Sequence, residues 1–206
     1  MYKKAITLIF VVSAMLFSLP LTAQESIEGK YVEIKPALPT QTGNKIEVIE
    51  VFWYGCPHCY SFEPYVEAWE KDLPDDVEFI RLPGVLNQAW IPHAKAYYTA
   101  VKLGIVDKVH RPLFEALHKQ KKRIYTDQEI QGFFEEHGVS AAEFNSVYSS
   151  KEVDTKIRQA YFAARDYKIT GVPSMVINGK YTTTGSLTGT YEVLLEVVNG
   201  LIERER

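Results

Sequence analysis

The chain has 206 residues, 46% hydrophobic and 24% charged, with 23 Lys+Arg against 26 Asp+Glu and a formal net charge of −3. That balance belongs to a globular protein and excludes wholesale disorder, collagen and coiled coil. It offers no basic footprint for a nucleic acid, and two cysteines exclude a multi-disulfide scaffold.

Residues 1–23 read as a secretory signal peptide. Met1-Tyr2-Lys3-Lys4 is a basic start, and Ala5 to Leu21 is apolar apart from Thr7, Ser13, Ser18 and Pro20. Leu21-Thr22-Ala23 then places a small residue before the polar Gln24-Glu25-Ser26. The alternative, an uncleaved anchor, is disfavoured because the apolar run is near the lower limit for spanning and Pro20 breaks it. The expectation is export to a compartment where disulfides persist.

Tyr31 to Ile34 suggests a short edge strand, and Pro36, Pro39 and Gly43 punctuate a loop. Ile46 to Trp53 is rich in β-branched and aromatic residues and apolar in both parities, as in a strand buried on both faces. Glu47 near its start is assigned to solvent. Glu50 lies mid-strand, where an acid is costly unless neutral, paired or doing chemistry. Tyr54-Gly55-Cys56-Pro57-His58-Cys59 follows. Gly55 permits a tight turn and Pro57 suits the first turn of a helix. Phe62, Val66 and Trp69 carry that helix to about Asp72, with a kink at Pro64. Val77 to Leu82 is a second strand.

From about Trp90 to Lys168 the pattern is helical. Capping boxes are read at Thr126 with Glu129, Ser140 with Glu143, and Ser149 with Glu152. Gly138 stops one helix. Val153, Ile157, Ala160, Tyr161 and Ala164 form an apolar stripe on another. Ser174 to Ile177, the two-residue turn signal Asn178-Gly179 and Lys180 to Thr184 make a hairpin. Val193, Leu194, Val197, Val198, Leu201 and Ile202 face one side of a last helix. The fold class is α/β. The expected organisation is a discontinuous domain, 24–86 and 168–206, around an all-helical insertion, 87–167. Trp53, Tyr54, Trp90, Tyr97-Tyr98 and Phe133-Phe134 read as core, and Lys119 to Arg123 as a solvated loop. His93, His110, His118 and His137 form no pattern.

Cys56 and Cys59 are the chain's only cysteines. A disulfide closing so short a loop removes little unfolded-state entropy, which argues against a purely structural bridge. A structural zinc site needs four ligands, and no cluster supplies them. A CxxC between a buried strand and a helix in an exported protein reads as a redox dithiol, with no metal and no cofactor beyond the pair itself. Cys56 at the helix start meets unpaired backbone N–H groups and the positive end of the dipole, and a protonated His58 adds charge. Both favour the thiolate. Cys59, one turn in, is shielded and acts second.

Cys56-Pro57-His58-Cys59 after Glu50-Val51-Phe52-Trp53-Tyr54-Gly55, with Gly171-Val172-Pro173-Ser174 and Asn178-Gly179-Lys180-Tyr181, resembles the DsbA family of bacterial thiol–disulfide oxidoreductases. The resemblance implies a thioredoxin fold carrying a helical domain, in a periplasmic, monomeric dithiol oxidase. Its partners are unfolded exported proteins with free thiols and a DsbB-like membrane quinone reductase. It implies that Cys56 is the exposed nucleophile, Cys59 its buried partner and Pro57-His58 the tuning dipeptide. Val172-Pro173 would be a cis peptide facing the disulfide and offering backbone to the client. Glu50 would be the family's buried acid and Arg81 its basic neighbour. The competing functions are an isomerase or reductase of the same fold, and a non-catalytic peptide-binding chaperone. No residues remain for the dimerisation domain of an isomerase, and reductases commonly carry Gly-Pro between the cysteines.

Overall fold

The computed structural model describes residues 27–206, so the signal-peptide reading of residues 1–23 falls outside it. Strand β1 is Val32–Glu33, β2 Ile46–Phe52, β3 Val77–Pro83, β4 Ser174–Ile177 and β5 Tyr181–Thr184. They form one mixed sheet in the order β1-β5-β4-β2-β3. All seven residues of β2 are buried, as its unbroken apolar run requires. It runs parallel to β3, with Glu50 opposite Arg81, and antiparallel to β4, with Glu50 opposite Met175.

Side chains alternate between the two faces of the sheet. Val48, Met175 and Ile177 pack with Phe62 and Val66 of α1 (Pro57–Glu70) and with Leu194, Val198 and Leu201 of α8 (Tyr191–Glu205). Ile49, Val51 and Val176 pack on the other side with Ile34 and Tyr167. Glu50 shares the parity of Val48, so its carboxyl is directed towards α1.

Between β3 and β4 the chain forms α2 (Ile91–Leu103), α3 (Val106–His118), α4 (Asp127–Glu136), α5 (Ala141–Tyr148) and α6 (Lys151–Asp166). Their core of Leu113, Phe114, Ile130, Phe134 and Phe144 is continuous with Phe52 and Tyr54 at the end of β2. Phe52 meets Tyr97 edge-on at 5.3 Å and His110 at 5.2 Å. The helical insertion is thus built directly against the segment that leads into the cysteines. A short α7 (Gly185–Thr188), which the sequence pattern does not signal, follows β5. None of the described helices is long and apolar enough to cross a membrane.

Several local expectations are corrected. Glu47 is buried rather than solvent-facing, because its carboxylate accepts the Gln41 backbone N–H at 2.8 Å from the preceding loop. The helix α1 contains Pro64, as expected, but ends at Glu70 rather than near Asp72. The N-cap of α6 is Ser150, whose hydroxyl accepts from Val153 N–H, since Ser149 already closes α5. Tyr161 is half exposed, one position off a stripe of Val153, Ile157, Ala160 and Ala164 that α6 does bury. The β4–β5 turn has Asn178 and Gly179 both left-handed and Lys180 N–H donating to Ile177 C=O, but Ile177 pairs with Tyr181. Lys180 is therefore an extra residue, whose carbonyl instead accepts from Ile34 N–H.

Candidate active site

Cys56 is the N-cap of α1, with extended φ/ψ of −88° and 118°, and Pro57 opens the helix. Its N–H donates to Trp53 C=O at 2.9 Å, closing the turn that Gly55 allows. A Cβ on Gly55 would lie 2.3 Å from the Trp53 ring, which is stacked on Trp90 at 4.4 Å. The turn and the indole therefore occupy the space a larger residue would need. Both cysteines carry free thiols; Cys56 is 8% exposed and Cys59 fully buried.

Their environments drive the two thiols apart. Cys56 is lowered to about 6, chiefly by the Cys59 thiol donating to it, against the opposing effect of burial. The backbone amides of Cys59 and His58 and the His58 charge add to the lowering. The neighbouring thiol thus ranks ahead of the helix start and His58, the two causes inferred from sequence. Cys59 is pushed well above the ordinary range, first by burial and then by its hydrogen bond to Cys56 and the charges of Cys56 and Glu50. Cys56 is thus largely covered rather than the exposed residue the resemblance implies, and the reduced pair is one thiolate close under the surface and one fully buried thiol beneath it.

The Val172–Pro173 bond is cis, and the Val172 carbonyl lies 3.5 Å from Cys56 Sγ, where it accepts from the thiol when Cys56 is protonated. Beside it lies a groove of about 630 Å³ lined by His58, Val172, Pro173, Thr184, Tyr191 and Glu192. Tyr191 O–H donates to the His58 carbonyl at 3.0 Å, tying α8 to the motif.

Beneath the cysteines is a buried charge cluster. Glu50 is fully buried, with Oε2 3.6 Å from Arg81 Nε. Arg81 also reaches Glu63 Oε1 at 3.1 Å and Glu70 Oε2 at 2.9 Å. Burial, then the like charge of Glu63, push Glu50 up to about 8 in spite of Arg81. Burial also opposes the charge on Glu63, but the His110 hydrogen bond and charge, with Arg81, outweigh it and hold Glu63 below the ordinary carboxylate range. At neutral pH the cluster holds a neutral Glu50 and an ionised Glu63 around one guanidinium.

Every sequence-derived site residue falls in this region. Cys56, Pro57, His58, Cys59, Val172 and Pro173 meet at one end of the sheet, with Glu50 and Arg81 below. Sequence reasoning missed Tyr54, Glu63, His110 and His118. Tyr54 Oη is 2.7 Å from His110 Nδ1, and its carbonyl accepts from His118 Nε2 at 2.7 Å. His118 also stacks on Tyr60 at 5.1 Å. A signal existed: Glu63 is one turn beyond Cys59 beside the apolar Phe62 and Val66, and His110, Phe114 and His118 repeat every four residues on one helix.

A family profile described as "DSBA-like thioredoxin domain" matches residues 80–190. The "Thiol:disulfide interchange protein DsbA" of Pseudomonas aeruginosa is 40% identical over 194 residues, covering 94% of this chain and 92% of the relative. That of Pseudomonas syringae pv. tomato is 40% identical over 198 residues, covering 95% and 92%. The crystal structure of Pseudomonas aeruginosa DsbA superposes with a TM-score of 0.83 at 40% identity, covering 86% of this chain and 93% of that one.

Proposed function

The chain belongs to the DsbA family and is a protein thiol:disulfide oxidoreductase; from that premise we propose that Cys56 and Cys59 form the redox pair by which it oxidises exported clients. A client thiolate attacks Cys56 Sγ of the Cys56–Cys59 disulfide. The Sγ–Sγ bond breaks, and Cys59 leaves with the electron pair and takes a proton. A second client thiolate then attacks the client sulfur of the mixed disulfide, and Cys56 leaves as a thiolate. The client loses two electrons and gains a disulfide, and the protein holds both electrons as the reduced pair.

The observation that carries this reading is the division of labour between the thiols: Cys56 stabilised as an anion at the helix start, Cys59 buried and protonated one turn in. A stabilised thiolate is a good leaving group and favours the reduced form. In the same reading Glu50, neutral up to about pH 8, supplies and recovers the Cys59 proton. Pro57 and His58 shape and charge the helix start, and the Val172 backbone beside Pro173 aligns the client in the groove. Clients are unfolded chains with free thiols in the periplasm, reached through the cleaved segment 1–23, and a DsbB-like membrane quinone reductase removes the two electrons.

Trapping tests the assignment. With a single-cysteine client carried as its disulfide with thionitrobenzoate, the Cys56 thiolate of Cys59→Ser should attack the client sulfur, release thionitrobenzoate and hold a mixed disulfide that dithiothreitol releases. Cys56→Ser should form none and should lose all oxidase activity towards a reduced two-cysteine client. A wild type that oxidises no client, with a Cys56→Ser variant that binds unfolded client equally well, would indicate a peptide-binding chaperone instead.

A further inference from the structure

The helical insertion sends an imidazole into the charge cluster under the cysteines. His110 of α3 is 6% exposed, with Nδ1 2.7 Å from Tyr54 Oη and Nε2 3.2 Å from Glu63 Oε1. An ionised Glu63 only accepts, so the nitrogen facing it, Nε2, carries a proton, while at Nδ1 the Tyr54 hydroxyl is able either to donate or to accept. Glu63 then shares Arg81 with Glu50. The two carboxylates are not equally satisfied: Arg81 donates a hydrogen bond to Glu63 at 3.1 Å and only faces Glu50 at 3.6 Å, and Glu63 alone also has a ring nitrogen of His110 at 3.2 Å.

We propose that His110 is a positioning residue of the redox reaction: its ring nitrogen, 3.2 Å from Glu63, keeps that carboxylate ionised and leaves the exchangeable proton on Glu50, beside Cys59. The proposal rests on the reading that Glu50 exchanges a proton with Cys59. The cluster is supplied by every element around it: Glu50 from β2, Glu63 and Glu70 from α1, Arg81 from β3, Tyr97 from α2 and His110 from α3, with Tyr54 and Cys59 at its upper edge. Glu70 is 41% exposed at its side chain and Tyr97 stays protonated, so neither competes with His110 for the assignment.

The sign of the effect follows. Without the His110 donor, Glu63 is a weaker acid and takes more of the shared proton. Glu50 then loses a like-charge neighbour, ionises at lower pH and pairs with Arg81. Acid to protonate departing Cys59 becomes scarce at neutral pH but remains plentiful at pH 5. A residue that only held the helix in place would instead lower the rate by the same factor at every pH.

The test is the rate of disulfide reduction by a model dithiol, followed by tryptophan fluorescence from pH 5 to 8, in the full-length mature protein. His110→Leu should move the alkaline limb of the profile down by about one pH unit, which is up to about tenfold in rate at the neutral end and little at pH 5. His110→Gln, which keeps a donor and an acceptor, should restore the wild-type limb. The Cys56 thiolate titration, read by ultraviolet absorbance, should stay in place in both. A uniform loss across pH, or a shift that persists in a Glu50→Gln background, overturns the proposal. If His110→Leu does not fold, Glu63→Gln carries the test: it removes the like charge directly and should shift the limb the same way, and an unmoved limb overturns the proposal. Glu50→Gln alone separates the two readings. If it leaves the limb in place, the Glu50 proton role fails and the His110 assignment with it. If it abolishes the limb while His110→Leu does not move it, only the His110 assignment fails.

Discussion

Cys56 and Cys59 are three residues apart and chemically far apart, and the difference is mutual: the buried thiol that cannot ionise is the donor that most stabilises its neighbour's anion. Removing that donor should matter more than removing His58, whose charge is a lesser cause. Cys59→Ala is expected to raise the iodoacetamide reactivity midpoint of Cys56 from about 6 towards the ordinary range of about 8.5. His58→Ser should raise it by a smaller amount, and the reverse ranking would mean the helix start and His58 dominate. Glu50 gives a second expectation. Its folded midpoint near 8 lies above the model-compound value of 4.5, so the folded state holds this proton after the unfolded chain has released it. The associated stability is full below about pH 4.5 and lost as pH rises through 8. Glu50→Gln cannot lose a proton, so its stability should gain on the wild type between pH 5 and pH 8 by up to about 1.4 kcal/mol per pH unit, seen as a widening gap in melting temperature. A gap constant with pH would show that Glu50 is ionised throughout.

The elements locate these residues, and the loops between them set the angles. The β4–β5 hairpin holds the strand that follows Pro173. Its Gly179 has φ +64°, and a Cβ there would lie 2.2 Å from the Leu38 carbonyl, so both the backbone and the neighbouring loop reject a side chain. Gly179→Ala should destabilise the protein by about 1–3 kcal/mol in urea titration, with an unchanged m-value. A neutral substitution would mean the loop at Leu38 yields freely. The sequence pattern made the strand β2, the helix α1, the discontinuous sheet and the helical run legible, because each has a period or a turn signal that depends on near neighbours. It also placed Cys56, Cys59, Glu50, Arg81 and Val172-Pro173 in one region, helped by motif resemblance. It did not show the Lys180 bulge, which depends on Ile34 just beyond a distant edge strand, nor the burial of Glu47, which depends on a loop amide. His110 and His118 escaped notice for the same reason. Their partners, Tyr54 and Glu63, lie at least a strand and a helix away in the chain, so the four-residue repeat of His110, Phe114 and His118 marks a shared helix face without naming what it meets.

On the scale of the whole molecule, the fold is coupled to the redox state. If the structure stabilises the Cys56 thiolate, a thermodynamic cycle requires it to disfavour the disulfide by the same amount. The reduced protein should then melt above the oxidised one at pH 7, reversing the usual effect of a crosslink. Lowering the pH below about 6, where Cys56 takes up its proton, should narrow that difference. The direction is fixed by the lowered midpoint: this contribution to the reduced fold is present at high pH and is lost as pH falls through 6. Each pKa unit of thiolate stabilisation is worth about 1.4 kcal/mol, or about 30 mV in a two-electron couple. The most direct test of the central claim, that thiolate stabilisation makes this chain an oxidant, is therefore the equilibrium of its Cys56–Cys59 pair with a glutathione redox buffer at pH 7. The account predicts a potential far above the roughly −270 mV of a thioredoxin, so that the pair is reduced in buffers that leave a thioredoxin oxidised. A potential at or below that value would contradict it.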